Sequence, residues 1–92
     1  MAQRIETGSI VWSKSGHDSG SFYLVVKVEN GFAYIADGRR RKLNAPKRKN
    51  MRHLSPVNRM VDVAEMDTDK KIRRVLWDYN FGLTIPSPSK GG

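Results

Sequence analysis

The chain has no cysteine, which excludes a disulfide-stapled scaffold and any thiolate metal site and agrees with a reducing compartment. No segment approaches the roughly 18 apolar residues that span a bilayer. The start, MAQRIETGSIVW, has no long apolar run behind a basic end, so neither an export signal nor a membrane partner is expected, and a cytoplasmic location is. Histidine is scarce too: His17 and His53 are the only two, and without paired-ligand spacing they predict no zinc site. No glycine-rich loop leads into a GK[ST] sequence, so nucleotide hydrolysis has no support. Ser15, His17 and Asp18 supply the residue types of a hydrolytic triad. Side chains this close on one loop do not line up as nucleophile, base and orienter, and nothing supplies an oxyanion hole. No enzymatic activity and no cofactor are expected.

The most informative scarcity is local. From Arg39 to His53, fifteen residues carry eight Lys or Arg and no acid. The 92-residue chain has a net charge of +8 and a pI near 10.2, and a domain pI above about 9 points to nucleic acid. Residues 1–56 hold eleven basic side chains against four acidic ones, whereas residues 57–92 hold six against five. A merely solvated surface mixes both signs; this stretch does not. Arg39, Arg40, Arg41, Lys42, Lys47, Arg48, Lys49 and Arg52 are therefore candidate phosphate contacts, with His53 at their rim. Each neutralised phosphate releases counterions, and an arginine can also stack on an unpaired base. An anionic membrane surface or a targeting segment is the competing reading of the same charge.

The length allows a single domain with a small core. Up to Pro56 the apolar residues alternate and are rich in β-branched and aromatic types. Gly8 to Lys14 places Ile10 and Trp12 opposite Val11. Ser21 to Glu29 is apolar on both sides, with Phe22, Leu24, Val26 and Val28 opposite Tyr23 and Val25, which predicts a central strand. Asn30-Gly31 offers the two positive-φ residues of a type I′ hairpin returning through Phe32 to Ala36. Asp37-Gly38 predicts a second tight turn into a strand from Arg39 to Leu43, and a fifth strand is expected from Arg52 to Ser55, ended by Pro56. So many short hairpins hide their edges best by curling into a small barrel.

Beyond a connecting segment, 57–66, the period changes. Ile72, Val75, Leu76 and Tyr79 form one apolar stripe of a helix over 67–82, capped by Thr68 or Asp67, favoured at its start by Asp69 and stopped by Gly82. The helix should pack on the barrel, and the Pro/Ser/Gly tail, 83–92, should stay unstructured. Lys70, Arg73, Arg74 and Trp77 fall opposite the stripe. Trp77 then either makes a local cation–π contact with Arg73 or Arg74, or belongs to a second contact face that stacks a base or docks a protein.

One loop remains, K14-S-G-H-D-S-G20. Lys14, Ser15, Gly16, His17, Asp18 and Gly20 can present backbone N–H groups as a small anion-binding concavity, although the glycines are equally turn residues. Taken in order, G8-S-I-V-W-S-K-S-G-H-D-S-G20, an apolar strand, N30-G, A-D-G-R-R-R-K-L and P46-K-R-K-N-M-R-H-L54 resemble the KOW-type RNA-binding domains. They are most similar to small bacterial KOW proteins related to archaeal and eukaryotic large-subunit ribosomal proteins. The resemblance covers Gly8 to Pro56, with Gly20 as the fixed glycine of the unit. It implies a mainly β fold, a five-stranded SH3-like barrel with a C-terminal helix. It also implies a non-enzymatic, ribosome-associated role in translation. The partner it implies is RNA, ribosomal RNA first, bound through the Gly16 to Gly20 loop and nearby basic strands. Ribosomal proteins are secondary partners, and a free monomer is expected. Two alternatives stay open. One is an SH3-like protein-interaction module, which needs several of Trp12, Phe22, Tyr23, Phe32 and Tyr34 exposed together. The other is a DNA-binding, transcription-associated KOW protein.

Overall fold

A computed structural model describes residues 5–14 and 20–80. The described residues form five strands and one helix: β1 (Ser9–Ser13), β2 (Phe22–Glu29), β3 (Phe32–Ala36), β4 (Lys47–Asn50), β5 (Leu54–Met60) and α1 (Asp69–Asn80). Single 3-10 turns occupy Met51–His53 and Val63–Glu65. The strands make one antiparallel sheet in the order β4-β3-β2-β1-β5. β2 is central, as its two-sided apolar pattern requires. Among the described residues no helix is long and apolar enough to cross a membrane.

The Asn30-Gly31 hairpin is as expected, with φ of +52° and +82° at its two central residues, the handedness that matches strand twist. Asp37-Gly38 is not a second hairpin. Gly38 alone has a positive φ, +77°, and the Asp37 carboxylate turns back on its own chain, accepting the amides of Arg39 and Arg41 at 2.8 and 2.9 Å. Those amides are then occupied locally, the behaviour that makes Asp a turn residue. Arg39 to Leu43 is consequently a loop, not the strand its sequence suggested, and the partner of β3 is Lys47–Asn50. The last strand also moves. Arg52 and His53 sit in the turn, and β5 runs through Pro56 to Met60, so much of the expected connecting segment is strand. Proline is tolerated because β5 is an edge, where no ladder partner needs its N–H.

A bulge in β2 corrects the face of one residue. Val25 pairs with Ile35 but Lys27 pairs with Tyr34, so one extra residue, Val26, is accommodated on β2. Alternation slips beyond it. Val28, expected beside Phe22, Leu24 and Val26, packs instead against the opposite cluster of Val11, Tyr23, Val25, Ala33, Ile35 and Leu54.

The sheet cannot be flat. Asn50 of one edge strand and Leu54 of the other are only four residue steps apart, a reach of at most ~14 Å, whereas five flat strands place their edges about 19 Å apart. The sheet therefore curls over the Val11/Tyr23/Ile35/Leu54 cluster. Its ladder stays open between β4 and β5 among the described residues.

The opposite face of β1 and β2 is covered by α1. Ile10, Phe22, Leu24 and Ala36 meet the buried Ile72 and Leu76 of the helix, flanked by Val75 and Tyr79, so the predicted stripe is the buried one. Rings link the layers: Trp12 to Phe22 at 4.8 Å and Phe22 to Tyr79 at 5.2 Å between centroids. The helix starts at Asp69 rather than Asp67, with Thr68 Oγ1 accepting the Lys71 amide at 3.2 Å as its cap. Asp67 pairs with Lys71 at 2.9 Å, and that hydrogen bond and charge hold its carboxyl below the usual carboxylate range. The helix is described to Asn80; Gly82 and the tail lie outside the described residues.

Candidate functional site

β1 and β3 end where β2 begins, so the loops around 14–20 and 37–46 leave the same end of the central strands. Two polar clamps bring α1 to that end. Asn80 satisfies both backbone groups of Phe22: its Oδ1 accepts the Phe22 amide at 2.8 Å and its Nδ2 donates to the Phe22 carbonyl at 3.3 Å. Asp69 Oδ1 accepts the Leu43 amide at 2.7 Å, and Arg73 Nη1 donates to the Gly38 carbonyl at 2.8 Å. Bonds to charged groups are the stronger kind, and here they tie the whole 38–43 loop to the helix. Gly38 permits the approach: it is buried, and a Cβ there would meet the Asp69 carbonyl oxygen and, at 2.9 Å, Arg73 Cγ.

Arg39 and Arg40 are thus mounted, exposed, on a loop fixed from within by Asp37 and from outside by α1. Two hollows flank them. A groove of about 430 Å³ runs along the helix, lined by Arg39, Lys70, Arg73, Arg74 and Trp77, with Asp37, Leu76 and Asn80. A second of about 290 Å³ lies toward β2, lined by Gly20, Ser21, Tyr23, Arg39 and Arg40, again with Asp37 and Asn80. Asp37, Arg39 and Asn80 border both, so the two hollows are neighbours. Asp37 is the one acidic side chain among the described residues lining either, against five cations. The face holding Lys70, Arg73, Arg74 and Trp77, set apart from the basic stretch in sequence, borders Arg39 in space.

The rest of that stretch divides. In β4, Lys47 and Lys49 pair with Ile35 and Ala33, whereas Arg48 pairs with Tyr34, so alternation sends them to opposite faces. Lys49 is buried, only 9% exposed, over the inner cluster. Arg48 lies on the Phe32 ring at 4.5 Å. Strand pleating thus separates Arg48 from Lys47 and Lys49, while Arg41 is half-buried and Lys42 exposed in the clamped loop. Arg52 and His53 are exposed on the turn before β5. The Lys14 amide donates to the His53 carbonyl at 2.8 Å, and the Gly20 amide to the Ser13 carbonyl at 3.0 Å. Lys14, Gly20 and His53 thus border the same end. Ser15, Gly16, His17 and Asp18 lie outside the described residues.

Two positioning residues act through partners distant in sequence: Asp69, a dipole partner at the helix start, is also the Leu43 acceptor, and Asn80 carries no local signal because its partner is 58 residues away. Asp37 was legible in principle, since Asp before Gly favours a side-chain-closed turn. Among the described residues no group of three or more His, Cys, Asp or Glu gathers as a metal site. Compared with protein-family models and with curated proteins, the chain matches none.

Proposed function

We propose that this protein is a non-enzymatic RNA-binding module, an SH3-like β-barrel of the KOW type with a C-terminal helix, acting on structured RNA, ribosomal RNA first, in the cytoplasm. One observation carries the reading: Arg39 and Arg40 stand on a clamped loop between the Gly20 end of the sheet and the Lys70/Arg73/Arg74 face of α1. A fixed row of cations matches a phosphate backbone at little ordering cost, because the loop that carries it is already held. The curled sheet is compatible with the barrel that the KOW resemblance implies.

The peptide-docking alternative is disfavoured by where the rings lie. Phe22 and Tyr23 are 3% and 1% exposed, Phe32 is covered by Arg48, and Tyr34 has Lys27 over it at 5.4 Å. They do not form one open aromatic patch. The test is crosslinking in cells followed by sequencing of the bound nucleic acid. The proposal predicts enriched, structured RNA, with ribosomal RNA foremost. Recovery of DNA alone, or of no enriched nucleic acid, would overturn it.

A further inference from the structure

The helix groove differs from the rest of the basic surface. This hollow joins an apolar wall to its cations. Trp77 is 56% exposed, one of two exposed large apolar side chains among the described residues, and it lines the groove with Leu76. On a helix, Lys70, Arg73 and Arg74 lie within about 60° of the direction of Trp77, at 100° per residue. Arg39 approaches from the loop on the other side. The hollow thus presents an indole, four cations and one carboxylate in about 430 Å³, within the ~300–1,000 Å³ typical of sites that enclose a small molecule.

We propose that this groove takes one unpaired nucleotide of the bound RNA, its base stacked on Trp77 and its flanking phosphates held by Arg39, Arg73 and Arg74; the inference rests on the RNA-binding reading above. A paired base within an A-form helix offers no free π-face, so a stacking wall is useful only for a bulged, looped or terminal nucleotide. Charge favours this occupant over a peptide, since the rim is cationic and shares Arg39 with the neighbouring Gly20 hollow, so a strand leaving the groove meets Arg40 next. Arg73 is already fixed on the Gly38 carbonyl. The clamp that shapes the loop therefore also shapes the groove. A purine, with the larger face, should be preferred to a pyrimidine.

The experiment compares a hairpin RNA with a single bulged adenosine against the same hairpin fully paired, by fluorescence anisotropy with the full chain. The wild type should prefer the bulged RNA by about tenfold, the size that stacking on an aromatic side chain supplies. Trp77→Ala should remove that preference and Trp77→Phe keep part of it. With 2-aminopurine at the bulge, the wild type should quench its fluorescence and Trp77→Ala should not. Trp77 is outside the core, and thermal unfolding checks that each variant is folded. Equal, salt-sensitive binding of both hairpins by the wild type would overturn this inference and leave the RNA reading standing. Binding of neither would overturn both. A bulge preference that survives in Trp77→Ala, or tighter binding of an acidic aromatic peptide than of the bulged RNA, would overturn the assignment of the groove.

Discussion

Gly38→Ala isolates the clamp on which the site depends. The position has φ of +77°, and an added Cβ would meet the Asp69 carbonyl oxygen and Arg73 Cγ. Gly31→Ala is the matched control, with φ of +82° and nothing within 4 Å of the added carbon. Both variants meet the left-handed strain of an L-residue, about 1–2 kcal/mol, and both lose the same unfolded-chain freedom, which cancels in the comparison. Only Gly38→Ala must push the loop from the helix. That weakens the Asp69–Leu43 and Arg73–Gly38 hydrogen bonds, each to a charged group and worth about 1.5–3 kcal/mol. Losing part of both brings the total to about 3 kcal/mol, against about 1 for the control. For a domain of this size that is a fall in Tm of roughly 12–24 °C, against about 4–8 °C. Thermal unfolding followed by circular dichroism measures both. If Gly38→Ala is no less stable than Gly31→Ala, the close packing of loop on helix does not exist as described.

Leu76→Ala, at a position 1% exposed, should cost about 2–5 kcal/mol in urea unfolding, whereas Trp77→Ala one residue on should stay within about 0.5; similar values for the two would mean that the wrong face of α1 is buried. The Asp67 carboxyl is held low by Lys71, so its contribution is present above the unfolded carboxylate range and is lost as pH falls through the lower folded value. Asp67→Asn should accordingly lie slightly below the wild type in Tm near neutrality and converge with it in acid. A gap that widens on acidification would reverse the sign assigned to the pair.

The readable parts of the fold were those decided by neighbours in sequence. Asn30-Gly31 forms its turn from its own backbone freedom, β2 is central because both its faces are apolar, and the Ile72/Leu76 stripe needs only helical periodicity. The misplaced parts depend on distant partners. The Arg39 to Leu43 loop is held by Asp69 and Arg73, about thirty residues further on, which local propensity cannot report. Val28 changes face because β2 accommodates an extra residue opposite β3, and Pro56 continues a strand because that strand is an edge. The same division applies to the site. The basic stretch was evident from charge, but its split by strand pleating, the burial of Lys49, and the meeting of Arg39 with Arg73, Arg74 and Trp77 are consequences of topology.

If RNA is held where the clamped loop meets the helix, the salt dependence of binding reports it. Affinity for a structured RNA is measured by anisotropy over a range of salt for the wild type, for Arg39→Ala/Arg40→Ala, and for Lys27→Gln. Lys27 sits toward the opposite end of β2, paired with Glu29 at 3.5 Å. On a single-stranded segment each phosphate contact contributes about −0.7 to the log–log slope, so removing both arginines should make the slope shallower by about 1.4 and weaken binding. Lys27→Gln should follow the wild type. A slope unchanged by the loss of Arg39 and Arg40, or altered equally by Lys27→Gln, would contradict the account.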